Sequence, residues 1–257
     1  PRLDLKKFPG VSRLLGSTMK SVGEVMGIGR TFPEALQKAV RMVTENDAGL
    51  SAFSNSEDVG AVRRELQSPT DTRLYAVVQA FRHGIPLDEI HKLSNIDKWF
   101  LFQVRKIAEF EHEITARAGT WANNSDVESN IVRCLGSTSK EDWTRWKLGG
   151  MGDLQIAYLC LRKNRVESNG ATLRKASLAI RKIRKENGIV PVVKKIDTTA
   201  GEYPSPSNYL YLSYGGLFSD NLSENQPRKK CAIVLGGGSY RIGTSVEFDW
   251  CAVSTSE

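Results

Sequence analysis

The chain has little of what builds the commonest catalytic and metal centres. Its three histidines, His83, His91 and His112, show no ligand spacing and no partner nucleophile motif. Its four cysteines, Cys134, Cys160, Cys231 and Cys251, are scattered, and no Cys-x-x-Cys or Cys/His spacing suits zinc. Reduced, partly buried thiols are the natural reading, and they fit a reducing, cytoplasmic setting. No signal peptide and no apolar run of bilayer length can be read, so no membrane partner is expected. Glu109, Glu111 and Glu113 alternate along a helical stretch and cannot share one face, which argues against paired-carboxylate chemistry there. No internal repeat is visible.

What is present is ordinary in bulk. The 257 residues are 40% hydrophobic and 25% charged, typical of a soluble globular chain with one large or two smaller cores. The chain opens on Pro1 and not Met, which suits a segment of a longer polypeptide. The formal charge of +7 permits nucleic-acid binding. The basic run Arg174-Lys175 and Arg181 to Lys185 lies opposite apolar Leu173, Ala176, Ile180 and Ile183. A solvated helix face is therefore the first reading, with no nucleic-acid partner. A basic helical nucleic-acid-binding module is the alternative.

Periodicity divides the chain. Residues 1–16 are irregular, and Met19 to Gly29 mixes β-branched residues with glycine, predicting strand and tight turn. Thr31 with Glu34 reads as a capping box, and Ala35, Leu36, Ala39, Val40 and Val43 as the apolar face behind it. Residues 44–60 read as a polar loop. From Ala61 the pattern is helical. Thr70 or Asp71 caps a helix through Leu74, Val77, Val78 and Phe81, ended by His83-Gly84. A short helix follows Pro86. Asp97 caps a longer one, with Phe100, Leu101, Val104, Ile107, Ala108 and Ile114 inward and the three glutamates outward. Residues 123–152 are the least regular, with a break at Gly149-Gly150. Trp99-Phe100, Trp143 and Trp146 read as core or domain-interface aromatics. Asp153 and Thr172 begin the last two helices. After Gly188, Val190 to Ile196 and Tyr209 to Tyr214 read as extended pieces that make no sheet by themselves.

Cys231 to Leu235 is a short β-forming run broken by Gly236, Gly237 and Gly238, with Gly243 beyond and an apolar stretch after it. Strand, glycine turn and helix open an α/β sheet, yet the crossover strand is missing. The turn is no dinucleotide fingerprint, because the third glycine position falls on Arg241, and no Gly-Lys-Ser/Thr follows. Backbone amides with Arg241 nearby could still face an anion, and close packing alone explains the glycines equally well. Glu24 and Glu247 sit in apolar company, where a carboxylate must be paired or wet.

Several motifs, in order, carry a resemblance. Lys20-Ser-Val-Gly-Glu-Val-Met-Gly-Ile-Gly-Arg-Thr31, Ile96-Asp-Lys-Trp-Phe-Leu101, Lys195-Ile-Asp-Thr198, Glu202-Tyr-Pro204, Asn208-Tyr-Leu-Tyr211 and Val234 to Trp250 resemble the large (synthetase) chain of carbamoyl phosphate synthetase, in its eukaryotic form. Residues 123–152 match less well and imply an insertion or lineage-specific loop. The resemblance implies a mainly α fragment, a helical oligomerisation domain flanked by incomplete α/β pieces of two ATP-grasp halves. Residues 1–44 would be the tail of the first, carboxyphosphate half and 61–188 the oligomerisation domain. Residues 189–230 would be an extended linker, and 231–257 the first strand, glycine turn and helix of the second, carbamoyl phosphate half. It further implies a multifunctional enzyme of pyrimidine biosynthesis, with a glutaminase domain or subunit and self-association. ATP, Mg or Mn, and K would serve the parent, with none bound by this segment and no catalytic residue in it. Glu24 and Glu247 match glutamates that line the family's carbamate channel, with Ser245 standing where many members have glycine.

Overall fold

Asp97 caps the longest helix among the described residues, and much of the helical body is arranged around it. The computed structural model describes residues 1–43, 48–52, 58–123, 126–205 and 209–220, together with 234, 254 and 255. Among these are nine α-helices and one two-stranded sheet. The helices are α1 (Phe32–Val43), α2 (Val59–Gln67), α3 (Arg73–Arg82), α4 (Leu87–Ser94), α5 (Lys98–Ala118), α6 (Val127–Leu135), α7 (Lys140–Leu148), α8 (Asp153–Lys163) and α9 (Gly170–Glu186).

The Asp97 carboxylate accepts from the Trp99 amide at 2.8 Å and so satisfies one of the open N–H groups of the first turn of α5. From there Leu101, Val104, Ile107, Ala108, Glu111, Ile114 and Ala118 are buried. This stripe lies against α3, α4, α6, α8 and α1. The phase differs from the predicted one at two places. Phe100 is largely exposed, and Glu111 lies inside. Helical spacing from Leu101 and Val104 leads through Ile107 to Glu111, whatever its charge. The carboxylate is tolerated because Arg82 and Ser51 bind it.

Residues 126–152 are mostly helical where a loop was expected. Within them α6 and α7 bring Ile131, Leu135, Trp143 and Trp146 into the core, the two indoles meeting edge to face at 5.4 Å. Charged and hydroxyl residues between the tryptophans hide this helix from a simple apolar count. Ser139 caps α7 by accepting from the Asp142 amide, and α9 begins at Gly170, two residues before Thr172, with Asn169 as its cap. α8 packs on α5 and α9, and α9 packs on α6, so the second half of the body closes around Cys160, Ile156 and Ile180.

Before α3, the cap also differs from expectation. Thr72 precedes the helix without a capping bond. Its hydroxyl and that of Thr70 donate to Glu65, while Asp71 pairs with Arg13 of the N-terminal segment. In the stretch expected to be a polar loop, Gly49–Ala52 makes a 3-10 turn that buries Leu50 and Ser51.

The flanks are extended. Met19 to Gly29 is no strand, since its one ladder contact is the antiparallel bridge between Gly23 and Arg2. Val190 to Ile196 and Tyr209 to Tyr214 do pair with one another. They form β1 (Val192–Lys195) and β2 (Leu210–Ser213), antiparallel, with Val192 opposite Ser213 and Lys195 opposite Leu210. The predicted strand, glycine turn and helix of 231–257 lie outside the described residues, apart from isolated positions.

Candidate functional site

The first helix brings the two extended flanks together. α1 buries Glu34 and Gln37 beside Pro33 and Val40, so the face it turns inward is half polar. Thr31 Oγ1 accepts from the Glu34 amide at 3.3 Å, as a cap should. The Glu34 side chain does not close the box on Thr31. It reaches one residue further, accepting from the Arg30 amide at 2.8 Å and from the Ser213 hydroxyl of β2 at 3.0 Å. Lys38, one turn on, pairs with its other oxygen at 2.9 Å. Lys38 Nζ also donates to the carbonyls of Ile28 and Leu212, each at 2.7 Å. The three ammonium protons are thereby used, and two of them hold backbone from opposite ends of the chain. The Tyr211 ring lies under the same ammonium at 5.6 Å.

Close approach at this clamp depends on glycine. A Cβ on Gly27 would sit 2.3 Å from the Ala35 carbonyl oxygen. Gly150, at φ +81°, leaves no room for one against the Glu34 Cα, 2.8 Å away.

A second cluster lies behind the first. Lys147 of α7 is buried and donates to the Met151 carbonyl at 2.6 Å and to Asp153 at 2.8 Å. Arg184 of α9 donates from Nε to both oxygens of the same carboxylate, at 2.9 and 2.8 Å, and from Nη1 to the Ile189 carbonyl. Tyr214, just past β2, presents its ring to both cations, at 4.9 Å for Lys147 and 5.7 Å for Arg184. Burial pushes the Lys147 ammonium down to about 8, with Asp153 opposing and Arg184 and Arg41 adding to the fall. Burial would raise the Asp153 carboxyl, but Lys147 and Arg184 outweigh it and hold the group below its ordinary value.

A third chain of contacts runs through the interior. Gln155 donates to Gln37 at 3.2 Å and to Ser51 at 2.8 Å. Ser51 donates to Glu111, which also accepts from Arg82 at 2.7 Å. Burial and the neighbouring Arg82 hold the Arg162 guanidinium below its usual value, with Glu111 acting the other way. In all three clusters each carboxylate is paired and hydrogen-bonded. Such an arrangement fixes positions. Among the described residues, no three His, Cys, Asp or Glu side chains gather as a metal site.

Of the residues singled out from the sequence, Glu24 is exposed, one position after the Gly23 bridge and on the segment that Lys38 holds by its far end. Gly236, Gly237, Gly238, Arg241, Gly243 and Glu247 lie outside the described residues. Of the clamp residues, Glu34 reads in the sequence only as part of a capping box, and Lys38 is not singled out. Their spacing, one turn apart on a helix entered through Gly-Ile-Gly, was the signal available.

This is a helical body with both flanks fastened to it, at the Glu34–Lys38 clamp and also through Arg13 and Asp71. Residues 24–188 match the family model described as the carbamoyl-phosphate synthetase large chain, oligomerisation domain. The chain belongs to that family. It is 44% identical over 99% of its length to the multifunctional protein pyrABCN of Emericella nidulans, covering 10% of that protein. It is 42% identical over 100% of its length to the mitochondrial carbamoyl phosphate synthase arginine-specific large chain of Neurospora crassa, covering 19%. With the mitochondrial carbamoyl-phosphate synthase [ammonia] of Aquarana catesbeiana the figures are 40%, 99% and 15%. The chain thus spans a tenth to a fifth of these relatives. The match takes in α1 to α9, including the two helices of 127–148 where an insertion was expected.

Proposed function

We propose that the chain is the central scaffold of a carbamoyl phosphate synthetase: it links the two synthetase halves, contributes to the wall of the carbamate channel and offers surface for self-association. The observation that carries this reading is Lys38, whose ammonium binds Ile28 before the helical body and Leu212 after it. A side chain that holds both flanks also holds whatever continues from them in one relative placement. The Phe32, Trp99 and Phe100 cluster supports the self-association part. Its rings meet at 5.0 to 5.4 Å, yet Trp99 remains 53% exposed.

The parent is read as a multifunctional enzyme of pyrimidine biosynthesis, with a glutaminase partner. The multifunctional relative supports that reading, and the unbonded thiols of Cys134 and Cys160 suit the cytoplasm. Nucleotide, Mg or Mn, and K are assigned to the ATP-grasp halves of the parent, because the buried carboxylates described here are already committed to arginine and lysine. The alternative basic nucleic-acid module loses one of its cations in α9, where buried Arg184 is spent on Asp153.

Carbamate decomposes in water, so a channel wall works by excluding bulk solvent. In the parent enzyme, Glu24→Ala and Glu247→Ala should leave the partial ATPase reactions intact and lower overall synthesis on the order of tenfold, or 1.4 kcal/mol. Overall synthesis in step with the partial reactions removes the channel role. Carbamoyl phosphate made by this chain alone from bicarbonate, ammonia and ATP removes the scaffold reading.

A further inference from the structure

Between α1, α7, α9 and β2 lies a cleft of about 380 Å³. Six cationic side chains line it: Lys38, Arg41, Lys147, Arg181, Arg184 and Lys185. Two carboxylates stand against them, and both are committed. Glu34 serves Lys38, the Arg30 amide and Ser213, while Asp153 serves Lys147 and Arg184 together. Among the described residues, Arg181 and Lys185 have no ion pair, and both are exposed. The cations also act on one another. Arg184 and Arg41 each disfavour charge on buried Lys147, and Arg181 is near enough to Tyr214 to favour its ionised form.

Clustered like charge of this kind costs self-repulsion, and a bound anion relieves it. The geometry also sets what kind of anion. Two of the cations are rigidly seated: Arg184 by three hydrogen bonds, and Lys147 by two. The guanidinium fork of arginine matches tetrahedral phosphate oxygens, and more than one cation is in excess, which suits a dianion. Val190, Pro191, Leu212 and Tyr214 also line the cleft and give it apolar surface for a carbon skeleton. The volume lies at the small end of ligand sites, about 300 to 1,000 Å³, and admits a phosphate ester with a short skeleton, not a dinucleotide. We propose that this basic cleft between α1, α9 and β2 binds a small phosphate-bearing anion, held by Arg181 and Lys185, with the seated Arg184 adding its charge. No turnover is involved.

The test is a binding titration on the parent synthetase, with its nucleotide sites filled by Mg²⁺ and a non-hydrolysable ATP analogue. The probes are inorganic phosphate and, separately, glycerol 3-phosphate. One further site per chain is expected. The double variant Arg181→Ala, Lys185→Ala should weaken it at least about tenfold, and Arg174→Ala, Lys175→Ala on the same helix should leave it unchanged. Tighter binding of the ester identifies an organic phosphate as the ligand; equal binding identifies free phosphate. The proposal is overturned if neither probe finds a site beyond the nucleotide sites, or if both double variants weaken binding alike. It is also overturned if Arg181→Ala, Lys185→Ala leaves phosphate binding untouched and instead loosens the parent's assembly, since the cleft is then a protein interface. The titration reads binding and not synthesis, so its failure and failure of the scaffold reading are separate results.

Discussion

The interior of the helical body and the seam where the flanks meet it are built on opposite principles. Around Trp143, Trp146, Ile107 and Leu159, burial is apolar, non-directional and spread over many side chains. Around Glu34, Lys38, Asp153 and Arg184, burial is polar, and each contact has one donor and one acceptor at a fixed distance. An apolar core tolerates sliding at modest cost, whereas a seam of paired charges has a single register. Buried ion pairs contribute little net stability compared with apolar replacements, yet removing one partner is costly. The seam therefore specifies where the flanks go, and the core decides whether the body folds.

The largest expected effect tests the core side of this contrast. Trp143→Ala deletes a fully buried indole and should cost about 4 kcal/mol in denaturant unfolding. Amide exchange should rise throughout α5 to α9. Loss confined to α7 would mean that the body is not one cooperative unit.

Next comes the seam. Glu34→Ala leaves Lys38 half-buried beside two carbonyls and removes the acceptor of Ser213, a loss of about 3 kcal/mol. Exchange should quicken at residues 26–30 and 211–214 while the helical body stays protected. Uniform exposure of both regions would erase the distinction between seam and core.

The smallest effect comes from pH. The folded Lys147 ammonium titrates at about 8 against an ordinary 10.5, so above 8 the unfolded chain holds the extra proton. Stability should then rise with pH, by at most about 1.4 kcal/mol for each unit. Cys160 works the other way, because burial lifts its thiol from 9.0 to about 12, and stability is lost once the unfolded thiol ionises above 9. The rise is therefore expected between pH 8 and 9 only. Lys147→Met, which leaves Asp153 paired with Arg184, should flatten it, and an unchanged slope in that variant would assign the rise elsewhere.

Much of the helical order was legible. The cap at Asp97, the stop at Gly84, and the faces carrying Val77, Ile107, Cys160 and Ile180 follow from local chemistry that any chain with these residues would show. The helices of 127–148 were not legible, because their inward positions are thinly spaced among charged and hydroxyl residues. Glu111 was misread for a related reason: charge predicts the surface unless a partner such as Arg82 arrives from a distant element. The pairing of β1 with β2 also depends on a partner, since neither strand names the other.

Alone, the sequence determined the helical nature of the chain, its main breaks and its kinship, because caps, periodicity and ordered motifs are local properties of the polypeptide. Only the tertiary structure decided that Glu34 and Lys38 join residues 28–30 to 212–213, and that Lys147 and Arg184 share Asp153. Those pairings join residues far apart in the chain, and the electrostatics that hold them act only once folding has excluded water and brought the partners within hydrogen-bond reach.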